Sequence, residues 1–201
     1  MATVLLARHG ETDWNRDHRW QGHTGPPLNA TGRQQAVILA ASLTQVVDAI
    51  YSSDTERARE TAEIVAAHIG GSVSTDERLR EVNFGEWEGL TRHEIDTHYA
   101  GAFTRWEACE RPLPAGVEAD EVMARRVIEA LHEIAVRHAE GRVLVVTSGG
   151  PIRAAEAHLR GIDQRVARRE LMTVANCALL ELVIRDGDFD GRFANRSAKP
   201  S

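Results

Sequence analysis

Lysine is nearly absent from this chain. Lys199 is the only one, so all but one of the 24 basic side chains are arginine. High-GC codon usage accounts for most of this bias, yet arginine also suits a forked grip on carboxylate or phosphate. Cysteine is scarce too. Cys109 and Cys177 are the only two, and they form neither a close pair nor a Cys/His ligand spacing. That excludes a zinc motif and a disulfide framework, and it points to reduced thiols and a cytoplasmic setting. No apolar run approaches the length of a membrane span, and no basic region with a long apolar segment opens the chain. Neither a membrane partner nor a signal peptide is expected. A positive balance is also missing. The formal net charge of −6 argues against bulk binding to nucleic acid.

What is present is ordinary for a soluble domain. With 201 residues, 42% of them hydrophobic, the chain can bury a sizeable core. Strand and helix patterns alternate. Val4-Leu5-Leu6-Ala7, bounded by Gly10, reads as a buried strand. A polar loop from Asp13 to Asn29 follows. Thr31 and Gln34 fit a capping box with Thr31 at the N-cap, for a helix to about Leu43. Asp48 to Ser52 reads as a second strand. Ser53-Asp54-Thr55-Glu56 repeats the capping pattern before a helix that Gly70-Gly71 stops at about Ile69. A third strand is expected at Val73, and a third capping box at Thr91 and Glu94. The prolines between Arg111 and Gly116 read as a break.

From Glu118 to about Ala139, the residues Val122, Val127, Leu131, Ile134 and Ala135 keep helical spacing. Val143 to Thr147 is the clearest buried strand. Gly149-Gly150-Pro151 after it suits a helix start, with Pro151 at a first helical position. Cys177 to Ile184 reads as the last long strand, before a hairpin turn at Asp186-Gly187 and a mobile tail after Asn195. The rhythm predicts one α/β domain over residues 1–201, with a mostly parallel sheet and helices on both faces. The stretch at about 81–116 breaks the rhythm and is the expected lid. Trp14, Trp20, Trp87 and Trp106 are expected to pack in loops and lid.

Arg8 and His9 stand at the carboxyl end of the first strand, where open α/β sheets place their ligand crevice. An arginine beside a histidine there can grip a phosphate and attack it. Metal-free cleavage of a phosphate ester needs cations on the dianion, a nucleophile in line behind phosphorus and an acid for the leaving oxygen. Arg8 and Arg57 fit the first role, and His9 fits the second as a neutral imidazole. Glu81 fits the third, in a site partly covered by Phe84 and Trp87. Asn15 can donate to a phosphate oxygen. The backbone N–H groups after Ser148 open a helix and form an anion site. Ser148 itself lacks the Gly-x-Ser-x-Gly elbow of a nucleophilic serine. The histidines His68, His93, His98, His132, His138 and His158 lack metal-ligand spacing.

These motifs together resemble the histidine phosphatase superfamily, also called the phosphoglycerate mutase-like family. Arg8-His9-Gly10-Glu11-Thr12-Asp13-Trp14-Asn15 is similar to the signature around its nucleophile. Leu28 to Ala36 is similar to its first-helix entry, Ser52 to Ala62 to the segment of its second phosphate arginine, and Leu79 to Gly89 to that of its proton donor. The match runs in order to about residue 155. The resemblance implies a three-layer α/β/α sandwich and metal-independent hydrolysis of a small phosphomonoester through phospho-His9, with no cofactor. It implies catalytic roles for His9, Glu81, Arg8 and Arg57, and substrate contacts at Asn15, Gln21, Gly22, Ser148 and Gly149. A homodimer is compatible with it.

The pattern departs at Ser148, where family members usually carry a second histidine. Losing one such donor commonly costs on the order of 10²–10³ in rate. Activity is therefore expected to be weakened or rebuilt, with His18 and His23 the first groups to examine as substitutes. A short lid that is not strongly basic favours a phosphatase over a phosphoglycerate-type mutase. A catalytically weakened binder of phosphate ligands is the rival from another class.

Overall fold

The apolar runs around Val4 and Val143 become neighbouring central strands, because neither face of either run offers a polar side to solvent. A computed structural model describes residues 1–110, 116–172, 174–185 and 188–195. In chain order the elements are β1 (Ala2–Arg8), α1 (Asp13–Arg16), α2 (Ala30–Ser42), β2 (Ala49–Ser52), α3 (Glu56–Ile69) and β3 (Val73–Thr75). Then come α4 (Arg92–His98), α5 (Ala102–Glu107), α6 (Asp120–Arg137), β4 (Arg142–Thr147), α7 (Gly149–Arg160), α8 (Ala167–Glu170), β5 (Leu179–Arg185) and β6 (Asp188–Asn195). Among the described residues no helix is long and apolar enough to cross a membrane.

The strands form one sheet in the order β3-β2-β4-β1-β5-β6. The first four are parallel; β5 runs antiparallel to β1, and β6 to β5. Alternate side chains point to opposite faces. Leu5, Ala7, Leu144 and Val146 pack against Leu39 of α2 and Ala58, Ala62 and Val65 of α3. Val4, Leu6, Val143 and Val145 pack against Val127, Leu131 and Ile134 of α6 and Ile152 of α7. The result is the expected three-layer α/β/α sandwich with a mostly parallel sheet.

This topology creates the crevice. The chain leaves β1 toward α2 on one face and leaves β4 into α7 on the other, so the two connections part above adjacent strands. Register brings the strand ends level: Arg8 lies opposite Thr147. The His9 N–H then donates to the Thr147 carbonyl at 2.8 Å. The Thr147 hydroxyl donates in turn to the Leu79 carbonyl at 2.5 Å, tying the Glu81 loop to the end of β4.

Several local expectations are corrected. The N-cap of α2 is Asn29, not Thr31; the Asn29 side chain accepts the Gly32 N–H at 2.8 Å, so the helix starts earlier. Ser53 caps no helix, because its hydroxyl is engaged with Thr55, and α3 begins after Thr55 without a side-chain cap. The polar loop contains an unforeseen short helix, α1, whose Thr12/Asn15 capping box was there to be read. Thr91 and Glu94 form their capping box as expected. Val122 faces outward at 50% exposure, and Met123 fills its expected place in the core. Pro151 sits at the third position of α7, where a missing N–H still costs no helical bond.

Cys177 precedes β5 in a left-handed conformation, so the strand starts at Leu179. It is also not the last strand: β6 is one residue longer and pairs along it. Its polar sequence carries little strand signal, and pairing supplies what pattern does not. The expected hairpin turn at Asp186-Gly187, the Pro-containing break over 111–115 and the tail from 196 lie outside the described residues.

The entry of α2 is packed backbone to backbone against the loop after His9. A Cβ on Gly32 would meet the Glu11 carbonyl oxygen at 2.1 Å and its nitrogen at 2.7 Å. Gly32→Ala should therefore destabilise the protein by about 1–3 kcal/mol in urea unfolding. A change below about 0.5 kcal/mol, the scale of neutral surface substitutions, would show that this loop yields freely.

Candidate active site

His9 is 2% exposed and firmly oriented. Its Nδ1 lies 2.7 Å from the Gly10 carbonyl oxygen, which only an N–H can satisfy, so Nδ1 carries the proton. Nε2 is then left with its lone pair, and Arg57 Nε donates to it at 3.2 Å. Burial, and after it the charges of Arg57 and Arg8, holds the ring well below the ordinary histidine pKa; the bond to Gly10 acts weakly the other way. The imidazole is thus neutral at physiological pH, as a nucleophile must be. The Gly10 N–H is held by the Thr61 hydroxyl at 3.0 Å, and the His9 carbonyl by Asn176 Nδ2 at 2.9 Å.

Arg57 is 2% exposed, which rules out a surface ion pair with Asp54 or Glu60. Its Nη2 donates to the Gly22 carbonyl at 2.7 Å and its Nη1 to the Thr24 carbonyl at 3.0 Å. Burial lowers its pKa to about 10, with Arg8 pushing the same way and Glu81 opposing, so it stays cationic. Arg8 donates through Nη1 to the Val174 carbonyl at 2.5 Å. Its Nε is buried with no partner among the described residues, as is the Ser148 hydroxyl. Unmatched buried donors are costly, and an anion between them would satisfy both.

Glu81 approaches from the 81–116 segment. Its Oε2 accepts the Gly150 N–H at 2.8 Å and its Oε1 the Val82 N–H at 2.9 Å. Arg126 fixes the loop behind it, donating to the carbonyls of Arg78, Arg80 and Glu81. These groups share one cavity of about 460 Å³, whose walls include Arg8, His9, Arg57, Glu81, Ser148 and Gly149. Two cations, a neutral buried imidazole, a carboxylate and the start of α7 therefore converge on one space. That set can hold a phosphate, attack it and protonate what leaves.

The family model of the histidine phosphatase superfamily (branch 1) matches residues 4–196. The chain belongs to this superfamily. It is 35% identical over 192 residues to phosphoglycerate mutase-like protein 4 of Arabidopsis thaliana, covering 93% of this chain and 81% of the relative. It is 34% identical over 167 residues to phosphoserine phosphatase 1 of Hydrogenobacter thermophilus, covering 81% of this chain and 78% of that one. A mycobacterial glucosyl-3-phosphoglycerate phosphatase, solved with VO3, superposes with a TM-score of 0.87 at 31% identity, covering 97% of this chain and 99% of that one. Membership and phosphatase relatives support a phosphoric monoester hydrolase.

Within this histidine phosphatase the expected residues are placed unevenly. Asn15 and Gln21 line the cavity. Asn15 Oδ1 accepts from Asn176 at 3.1 Å and from the Thr12 N–H at 3.2 Å, and Gln21 Nε2 donates to the Thr12 hydroxyl. Gly22 stands behind Arg57, where its carbonyl holds the guanidinium, and it is not part of the cavity wall. Of the two histidines expected as substitutes, His18 lies on the wall, whereas His23 contacts the Glu81 carbonyl at 3.1 Å and supports that loop from outside the cavity. Trp20, Phe84 and Phe103 from loop and expected lid form an apolar side of the cavity. The sequence reading missed Asn176, Arg126 and Arg153. Arg153 had a legible signal: it lies four residues after Gly149 on a helix, and so on the same face.

Two outcomes follow. In the nitrogen-detected NMR spectrum of the free protein, the His9 ring should remain the neutral Nδ1–H form at pH 6. Its depressed pKa means that, below about 6.5, the unfolded chain takes up a proton there before the folded one, so this site lowers stability as pH falls. A His9 ring protonated at pH 6 would contradict the burial argument. At Gly150 a Cβ would meet Glu81 Oε1 at 1.8 Å. Gly150→Ala should displace the carboxylate and lower kcat at least about tenfold with under about 1 kcal/mol lost in stability, since a side-chain end can move aside. Unchanged kcat would separate Glu81 from the chemistry.

Proposed function

We propose that this chain hydrolyses a small phosphomonoester without metal, through a phosphohistidine on His9. The observation that carries the reading is the buried, neutral His9, its Nδ1–H fixed on Gly10, its Nε2 beside Arg57 Nε, and its ring lining a cavity shared with Arg8, Arg57 and Glu81. Arg8 and Arg57 hold the phosphoryl oxygens, with Asn15, Gln21, Ser148 and the Gly149 N–H as further contacts. Nε2 attacks phosphorus, the bond to the ester oxygen breaks, and Glu81 gives that oxygen its proton. Water then attacks phospho-His9, returns a proton to Glu81 and releases inorganic phosphate. The 81–116 segment serves as the lid over the leaving group, whose side of the cavity is lined by Trp20, Phe84 and Phe103. Relatives acting on phosphoserine or glucosyl-3-phosphoglycerate support a small phosphorylated metabolite as substrate.

The test is phosphate release from a panel of phosphomonoesters in chelator, beside His9→Ala. Turnover lost in the variant, with a phosphate-labelled His9 trapped by rapid acid quench, is the expected result. Release equal to that of His9→Ala, with phosphate ligands still bound, would establish a binder in place of an enzyme. Transfer that requires a bisphosphate primer would establish a mutase.

A further inference from the structure

Serine at 148 is short and uncharged, and it leaves one side of the phosphate position without a cation. The same helix carries one. Arg153 lies one turn into α7, on the face of Gly149. Helical side chains tilt toward the helix N-terminus, so the Arg153 guanidinium is directed back to the end where Ser148 and Gly149 meet the site. It lines the catalytic cavity together with Arg8, His9 and Ser148.

Its donors are uncommitted. Arg57 places N–H groups on His9 and two carbonyls, and Arg168 places its Nη groups on the Trp106 carbonyl and Asp120. Arg153 has no hydrogen bond or ion pair among the described residues. It is nonetheless partly buried and feels Glu81 and Asp120 as attractive charges, Arg8 and Arg168 as repulsive ones. A guanidinium that lines a crevice with other arginines and keeps its donors open to the cavity is available to an entering anion. The orphaned Arg8 Nε and Ser148 hydroxyl border the same space.

We propose that Arg153 contacts the phosphoryl group on its Ser148 side and supplies the positive charge that Ser148 cannot. Charge on a transferring phosphoryl is spread over three equatorial oxygens, and three guanidinium groups then surround it. Arg153 is on this view a catalytic residue, and the assignment rests on the phosphatase reading of the same cavity. A rival role is recognition of a distal anionic group, since Arg153 also lines the neighbouring cleft with Arg168 and Arg169. That role would leave binding of bare phosphate untouched.

The experiment is a double-mutant cycle of Arg153→Met, Ser148→His and their combination. It reads the Kd for inorganic phosphate by calorimetry and kcat on p-nitrophenyl phosphate. Arg153→Met should weaken phosphate binding about tenfold and lower kcat about 10²-fold. Ser148→His should restore at least tenfold of that kcat in the Arg153→Met background, and do much less in the parent. Arg153→Gln replaces Arg153→Met if the latter melts early. Phosphate bound equally with and without Arg153, or effects that simply add, would overturn the proposal. If the parent protein turns over no ester, the phosphatase reading fails, and the phosphate titrations alone decide the role of Arg153.

Discussion

The constraint on which the site depends is a neutral imidazole buried among guanidinium groups. Arg57 touches the ring, and Arg8 acts on it through its charge. Burying like charges together costs energy unless each donor is satisfied. Much of the local architecture answers that need. The Gly22–Thr24 loop turns its carbonyls onto Arg57, and Val174 turns its own onto Arg8. Glu81 is placed where it offsets both charges. The same positive field that keeps His9 unprotonated also favours an anion in the cavity.

Sheet topology supplies the precision. Two parallel strands end level, one leading into His9 and the other into the start of α7. Both ends are fixed by backbone hydrogen bonds in a core with alternating faces, so His9 and Ser148 cannot drift apart without breaking the central pair. Close backbone contact tightens this further. Gly32 lets α2 abut the loop after His9, and Gly150 leaves room for the Glu81 carboxylate over the first turn of α7. A carboxylate at a helix N-terminus is itself favourable, which holds Glu81 over the first turn of α7.

The segment from 81 to 107 joins core and site in one stretch. Phe84, Trp87, Phe103 and Trp106 are buried; Trp20 meets Phe84, Phe103 and Trp106 at 5.0–5.4 Å between ring centroids, and Trp106 meets Phe84 and Trp87 at 5.8–5.9 Å. Arg92 and Glu107 pair at 2.8 Å beside the cavity. Aromatic packing there holds a wall against the phosphate position while leaving a mixed apolar and charged surface for the rest of a substrate.

The sequence by itself determined the layered α/β sandwich, because apolar runs and glycine-bounded motifs are local signals, and it singled out His9, Arg8, Arg57 and Glu81, which the structure brings to one cavity. It also determined that a serine stands at 148. It left β6 unread, since Asp188–Asn195 is strand by pairing and not by pattern. It misplaced the starts of α2 and α3, where Asn29 rather than Thr31 caps α2 and α3 begins after Thr55 with no side-chain cap. Only the tertiary structure decided that Gly22 backs Arg57, that His23 supports Glu81 from outside, and that Asn176 links His9 to Asn15 across more than 160 residues. Only it placed Arg153 in the cavity, with no hydrogen-bond partner among the described residues. Such roles follow from which strand ends meet at the crevice, and strand order is a property of packing that no local stretch of sequence contains.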